Sequence, residues 1–182
     1  MKTSKASQEF EDNRYRSWHL ARSRHDAVTT EFEWATLRFQ QAFERWVMQL
    51  STIIGFHDLS FPELVLLHVV KMHDVPPTAA TLAYQLNRSD IPNIQYSLRK
   101  LSKMGFVRVI KGGPTSTKNV SYAVSKKCSE MLEKYAAVRR ELLTERTKNI
   151  DKIDDKLSEI TKMLSILTGM YDEAGRTSAT YK

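Results

Sequence analysis

The fold is decided by residues 88–127, which read RSDIPNIQYSLRKLSKMGFVRVIKGGPTSTKNVSYAVSKK. This stretch contains nine Lys or Arg and a single acid, Asp90, so its net charge is +8, against +7 for the whole chain. The rest of the chain therefore sums to −1, and the positive charge is concentrated in one region. A focused basic patch attracts polyanions such as the phosphate backbone of a nucleic-acid duplex.

An amphipathic helix is predicted to begin near Ile91 and to end at Gly105. Apolar side chains at spacings of three and four mark its buried face: Ile91, Ile94, Leu98 and Leu101. Amide, phenol and cationic groups share the opposite face: Pro92, Asn93, Tyr96, Arg99, Lys100 and Lys103. Such groups can hydrogen-bond base edges and neutralise phosphates. The competing interpretation is a charged face that is merely solvated.

The elements around this helix predict a winged helix-turn-helix. A short helix capped by Thr78 precedes it, and two strand-like runs follow, Phe106–Ile110 and Val120–Val124, around the turn signal Gly112-Gly113-Pro114. A phosphate-binding glycine loop is the alternative for Gly112-Gly113. We discount it because no Gly-Lys-Ser/Thr follows.

Two further helices are predicted before the helix-turn-helix. One runs from about Glu31 to Leu50 and carries an aromatic stripe that we expect to be buried, including Phe39 and Phe43. The other starts at the capping box formed by Ser60 and Glu63 and stops before Pro76-Pro77. Residues before about Thr30 form a polar leader.

The C-terminal region predicts a helix from Ser125 to about Thr147 and then a heptad seam. Apolar residues alternate at three and four along that seam, which ends at Tyr171 and includes the residues we expect to mediate dimerisation: Ile150, Ile153, Leu157, Ile160, Leu164 and Leu167. The seam needs a partner, and a second copy of the chain is the simplest one. An intramolecular hairpin is the alternative.

The predicted fold class is mainly α (α+β), a winged helix-turn-helix whose terminal helices form a dimerisation domain. Domain bounds follow: a leader at 1–30, a helical dimerisation region at 31–55 and 126–175, and a DNA-binding domain at 56–125.

The order of these elements resembles the MarR family of bacterial winged-helix transcription regulators over roughly residues 31–171. The matching stretches are Phe61–Leu67, Leu82–Leu86 and Ile94–Val107. The resemblance implies a homodimer whose recognition helices enter successive major grooves of double-stranded DNA. It departs from the family at the wing tip, where the usual Asp-x-Arg pattern is missing, so lysines at 111 and 118 are expected to contact phosphates only.

The residues expected to contact DNA come from the turn, the helix and the wing. They are Ser89, Pro92, Asn93, Tyr96, Ser97, Arg99, Lys100, Lys103, Arg108, Lys111 and Lys118. Regulators of the family often bind small-molecule effectors. In this chain, the two helices predicted before the helix-turn-helix would border the effector pocket. Its expected lining is Trp34, Arg38, Trp46, Phe61, Leu64 and His68, although each could simply belong to the core.

Enzymatic and cofactor chemistry find no support in the sequence. There is no His-Glu-x-x-His, no Gly-x-Ser-x-Gly and no dinucleotide fingerprint, so we expect no catalytic residue, no metal and no cofactor. The single cysteine, Cys128, lies near a helix N-terminus, which would lower its thiol pKa and permit an oxidation switch. No signal peptide or membrane span is predicted, which indicates a cytoplasmic protein.

These patterns predict a dimeric, sequence-specific, DNA-binding transcription regulator that could respond to a small-molecule effector. The alternative is a winged-helix interaction module whose basic face binds an acidic protein or RNA. Half-sites about one helical turn apart would distinguish the two, since only a twofold dimer on DNA requires them.

Overall fold

The computed structural model describes residues 18–113 and 116–181, without the side chains of residues 113 and 116–119. The chain divides into two compact units, Met1–Met131 and Leu132–Lys182. Within the described residues, no helix is both long and apolar enough to cross a membrane.

The first helix, α1 (Arg24–Ile54), is longer than the sequence predicted. Ser23 and Asp26 form a capping box: the backbone N–H of Asp26 donates to Ser23 Oγ (3.1 Å), and that of Ser23 donates to Asp26 Oδ2 (2.9 Å). This cap starts the helix seven residues before Glu31, inside the expected leader. Gly55 ends it with a φ of +102°, a conformation that glycine adopts without steric cost.

The aromatic stripe on α1 was expected to be buried, and that prediction was wrong for part of its length. Val47 and Leu50 are buried, but Phe39 is 70% exposed and Phe43 is 45% exposed. The Phe39 and Phe43 rings stack at 6.2 Å, and Phe43 meets Phe61 edge-on at 5.9 Å. The buried residues of α1 thus lie towards its two ends, Ala27 and Thr30 near the start and Val47, Leu50 and Ser51 in the last third.

Three helices follow in the order that the sequence predicted: α2 (Phe61–Met72), α3 (Ala79–Gln85) and α4 (Ile91–Lys103). The Ser60–Glu63 capping box starts α2, and Thr78 caps α3 by accepting the backbone N–H of Thr81 at 3.1 Å. The core between them is aliphatic. Its fully buried members are Leu64, Leu66, Leu67, Leu82, Ile94, Leu98 and Leu101.

Helix α4 ends in a Schellman motif. The N–H of Phe106 donates to the carbonyl of Leu101 (2.9 Å) and that of Gly105 to Ser102 (3.0 Å), with Gly105 at a φ of +76°. This turn sends the chain directly into the wing. At the other end of α4, Ile91 is 37% exposed, so its expected place in the core was wrong; it occupies the first, solvent-facing turn.

The wing is an antiparallel pair, β1 (Val107–Gly113) and β2 (Ser116–Val124). Val107 pairs with Val124 and Lys111 with Val120, and the register shifts between Lys111 and Gly113. At the base of the wing, the N–H of Tyr122 donates to the carbonyl of Pro77 (3.0 Å), and Thr78 bridges Ser121. The wing is thereby attached to the start of α3.

The C-terminal helices are interrupted where the sequence predicted one continuous element. Helix α5 (Lys126–Arg139) is followed by a π-helical segment, Arg140–Thr144, and by one helical turn, Glu145–Thr147. After Lys152, which has a φ of +51°, helix α6 runs over Ile153–Ser178. The predicted Ser125 cap is present, since Ser125 Oγ accepts the N–H of Cys128 at 3.1 Å.

Candidate nucleic-acid interface

The exposed face of α4 carries polar and cationic side chains that no other described element covers. Ile94, Leu98 and Leu101 are fully buried on one side of the helix. The opposite side presents Pro92, Asn93, Tyr96, Arg99 and Lys103 to solvent. Tyr96 is 64% exposed, so both its ring and its hydroxyl can reach another molecule.

The turn before α4 is held by a compact set of charged hydrogen bonds. Arg88 donates to both carboxylate oxygens of Asp90, at 2.8 Å from Nε to Oδ1. Asn93 Nδ2 donates to Asp90 Oδ2 at 3.2 Å. The Arg88 guanidinium and, to a smaller degree, the Asn93 amide lower the pKa of Asp90 to about 2. Asp90 is therefore fully ionised at neutral pH.

Lys100 occupies a different position from the other expected DNA contacts. Its Nζ lies 2.9 Å from Glu63 Oε2 and 3.3 Å from the carbonyl oxygen of Asp58. At about 100° per residue, Lys100 lies about 60° from the middle of the exposed face, so its long stem reaches α2. The Lys100 ammonium is therefore held beside Glu63, and its side chain keeps 39% of its surface exposed.

Glu63 is the buried partner in that ion pair, with only 5% of its surface exposed. Burial by itself would raise the pKa of Glu63. Hydrogen bonds from the Ser60 backbone N–H and from Lys100 outweigh burial, and the pKa lies below its usual value. The ionised carboxylate thus joins the start of α2 to the last turn of α4.

The wing adds two exposed cations to the interface. Arg108 and Lys111 lie on β1, opposite Ala123 and Val120. Gly112, at a φ of +77°, turns the strand just beyond Lys111. Lys118 belongs to β2, but its side chain lies outside the described part of the chain. In the turn and helix, Ser89 is exposed and Ser97 is half-buried.

The residues expected to line an effector pocket are spread along α1 and α2 and differ in burial. Trp34 and Trp46 are twelve residues apart on α1, which separates them by about 18 Å along the axis. Leu64 is fully buried, whereas Arg38 is exposed and Phe61 and His68 are half-buried. Trp34 instead borders a cavity of about 370 Å³ with Trp18, His19, Leu20 and Thr30.

In the second unit, the heptad residues form one side of α6 and of the turn before it. Ile150, Leu157, Ile160 and Leu164 are exposed, and Ile153 and Leu167 are half-buried. Met163, Ile166 and Met170 are also exposed and widen the apolar side. None of the apolar residues of α6 is fully buried.

The structure corrects the expected reactivity of Cys128. Its side chain is completely buried, and desolvation raises the pKa of the thiol to about 12 despite the nearby Lys71 ammonium. The helix N-terminus was expected to lower this pKa, but burial dominates. Among residues 18–113 and 116–181, no three His, Cys, Asp or Glu side chains are grouped as metal ligands would be.

Two interactions at this interface were missed by sequence reasoning. The hydrogen bonds that join Arg88, Asp90 and Asn93 connect residues only two or three positions apart. The sequence feature that could have indicated them is Asp90, a single acid among cations. The Glu63–Lys100 pair joins residues 37 positions apart, and only the capping box at Ser60 marked one of its members.

Comparison with known proteins agrees with this geometry. Residues 59–128 match the family model described as winged helix DNA-binding domain. No curated protein sequence matches the chain significantly.

Three solved structures illustrate the similarity. A MarR family transcriptional regulator from Silicibacter pomeroyi is 17% identical, with 85% of this chain and 98% of that chain covered and a TM-score of 0.62. Staphylococcus aureus MarR, in complex with salicylate and kanamycin, is 12% identical, with 81% and 94% covered and a TM-score of 0.61. Streptococcus pneumoniae FabT, in complex with DNA, is 15% identical, with 81% and 99% covered and a TM-score of 0.59.

Residues 59–128 thus have a winged-helix fold and match the model of winged helix DNA-binding domains. The chain has the fold of MarR-family transcriptional regulators, in agreement with the resemblance found in the sequence.

Proposed function

We propose that this protein is a dimeric, sequence-specific DNA-binding transcription regulator. The observation that carries the proposal is the exposed face of α4, where an amide, a phenol and two cations lie opposite a fully buried aliphatic face. These are the groups that hydrogen-bond base edges and phosphates. The match of residues 59–128 to a DNA-binding domain supports the same role.

In this proposal the two ends of α4 have different tasks. Asn93 and Tyr96 lie in its N-terminal half, the part that enters the major groove in helix-turn-helix docking, and are assigned to bases. Arg99 and Lys103 lie further along and are assigned to phosphates. Arg108, Lys111 and Lys118 of the wing, with Ser89, Pro92 and Ser97, complete the proposed contact surface. Lys100 is reassigned from phosphate contact to holding α4 against α2, because of its ion pair with Glu63.

Dimerisation is proposed to use the exposed apolar side of the second unit. The exposed apolar residues of α6, from Leu157 to Tyr171, form a continuous side that water would otherwise solvate. A second copy of the chain offers the same side in return, as a twofold interface requires. Domain bounds of 31–55 and 126–175 for dimerisation and 56–125 for DNA binding remain part of this proposal.

The proposal includes a response of the protein to a small-molecule effector. Staphylococcus aureus MarR has been solved with salicylate and kanamycin bound, and this chain shares its fold. A candidate site for such a molecule among the described residues is the cavity beside Trp34.

The decisive experiment selects bound duplexes from a random-sequence pool with the full-length protein. We expect a pseudo-palindromic site whose half-sites are about one helical turn apart. Asn93→Ala should cost about 1–3 kcal/mol on that site and leave binding to random DNA almost unchanged. Enrichment of single-stranded RNA over duplex DNA in a parallel selection, or no enrichment of any duplex, would favour the interaction-module alternative.

A further inference from the structure

Asp90 occupies the N-cap position of α4 but does not cap the helix. Its side chain accepts no hydrogen bond from the first turn of the backbone. Both oxygens of the carboxylate instead accept hydrogen bonds from Arg88, and Oδ2 also accepts the Asn93 amide N–H at 3.2 Å. Asp is a preferred N-cap residue, and its side chain usually accepts a backbone N–H of the first helical turn. Here the Asp90 side chain binds the Asn93 amide on the exposed face of α4 instead.

The contact with Asp90 determines which atoms Asn93 can offer to a base. A carboxamide has two N–H donors and one carbonyl acceptor. Asp90 takes one N–H, so one N–H and the carbonyl oxygen remain. Adenine presents an acceptor, N7, and a donor, the N6 amino group, which match that remaining pair. The flipped amide would place its oxygen against the ionised Asp90 carboxylate and is disfavoured.

We propose that Asp90 is a specificity-determining positioning residue, which holds the Asn93 amide in the single orientation that pairs with adenine. Arg88 in turn fixes the Asp90 carboxylate with two hydrogen bonds. The inference rests on the proposed function, because it assigns the orientation of a side chain that the function places in the major groove.

Asp90 also has an electrostatic effect on the same surface. It is the one acid between residues 88 and 127, and its carboxylate is ionised, because the bound Arg88 keeps its pKa at about 2. A negative charge at the start of α4 repels phosphates and so weakens binding to any DNA sequence. Removing Asp90 should therefore strengthen non-specific binding while it weakens discrimination between bases. A purely structural defect would weaken both.

The experiment measures affinities of the full-length protein for three duplexes: the selected site, a random-sequence control, and the selected site with single base-pair changes. The base pair contacted by Asn93 is identified with the Asn93→Ala variant. It is the base pair whose substitution lowers the affinity of the wild-type protein but not that of Asn93→Ala. Asp90→Ala should lose discrimination at that base pair by about 5- to 50-fold, within the range of one bidentate contact, and bind the random duplex at least about twofold more tightly.

Three further variants separate the causes. Asp90→Asn removes the charge but keeps an oxygen that can accept the Asn93 amide, so it should bind random DNA more tightly and retain most discrimination. Asp90→Ser keeps a preferred helix cap while losing the reach to Asn93, and it replaces Asp90→Ala if that variant does not fold. Asp74→Asn removes an exposed acid outside the turn and should change neither quantity.

The inference is overturned if Asp90→Ala or Asp90→Ser keeps full discrimination at that base pair, or if either lowers specific and random binding in parallel. Those outcomes would leave the proposed function intact, because the wild-type protein would still prefer its selected site. A wild-type protein without any preference among duplexes would overturn the proposed function and this inference together.

Discussion

At the scale of single residues, Lys100 shows how the structure changes the role of a cation. Lys100 and Lys103 are both on α4, yet Lys100 pairs with buried Glu63 while Lys103 is exposed. Removing Lys100 leaves a buried carboxylate with fewer partners, which costs far more than removing a solvated charge.

We predict that Lys100→Ala lowers the free energy of unfolding by about 1–3 kcal/mol, the usual cost of leaving a buried polar group short of a partner. Lys103→Ala is the matched control and should change it by less than about 0.5 kcal/mol. Urea unfolding at neutral pH measures both. Equal stabilities of the two variants would show that the Glu63 ion pair contributes nothing to folding.

The same pair predicts a pH dependence of stability. The folded pKa of Glu63 lies below its usual value of 4.5, so the stabilisation is present above that value and is lost as pH falls through the folded pKa. The difference in unfolding free energy between wild type and Lys100→Ala should therefore narrow as pH falls below about 4.5. A difference that stayed constant well below that pH would exclude Glu63 as its source.

Cys128 is predicted to be unreactive in the folded protein. It is fully buried and its pKa is raised to about 12, so almost no thiolate exists at neutral pH. Iodoacetamide should leave the native protein unmodified in mass spectrometry and alkylate it once in guanidinium chloride. Rapid alkylation of the native protein would contradict the buried environment and restore the redox interpretation.

At the scale of elements, α4 and the wing act together as a cationic surface. Arg99 and Lys103 lie in the C-terminal half of α4, and Arg108 and Lys111 continue along β1. The Schellman turn at Gly105 joins the two elements without a flexible linker. The orientation of the wing relative to α4 is therefore set by backbone hydrogen bonds.

The salt dependence of DNA binding tests this surface. We expect the slope of log K against log salt to decrease in magnitude by about 0.9 in Lys103→Ala and in Lys111→Ala, because each variant neutralises one phosphate fewer. Lys100→Ala should leave the slope unchanged, as should the control Lys134→Ala on α5. A reduced slope in Lys100→Ala would mean that this lysine leaves Glu63 when DNA binds.

At the scale of the whole molecule, two exposed apolar surfaces within the described residues bear on association. One comprises Trp34 and Leu37, one turn apart on α1 in the first unit, and the other is the apolar side of α6 in the second. Apolar areas of this kind mark sites of association more often than free surface. The second surface is the one that the heptad pattern predicted.

Leu157→Asp is predicted to dissociate the dimer. It would place an unpaired carboxylate in the apolar interface, which costs several kcal/mol. Ser158→Asp adds the same charge on another side of α6, away from the apolar residues, and should leave the dimer intact. Sedimentation velocity distinguishes the two. A wild-type protein that sediments as a monomer would contradict the assignment before any variant is made.

The sequence by itself determined the elements whose signals are local. The buried face of α4, the caps at Ser60, Thr78 and Ser125, and the turn at Gly105 follow from spacing and from backbone groups a few residues apart. The wing strands follow from alternation and the glycine turn, and together these elements were sufficient to recognise the winged helix.

Only the tertiary structure decided which side chains meet across the chain. The ion pair of Glu63 with Lys100, the burial of Cys128 and the exposure of Phe39 depend on how helices pack, which periodicity does not specify. A pattern of apolar residues shows that a face needs burial but not whether its own chain covers it. For the same reason Trp34 and Trp46, both expected around one effector pocket, could lie on the same helix and still be about 18 Å apart along its axis.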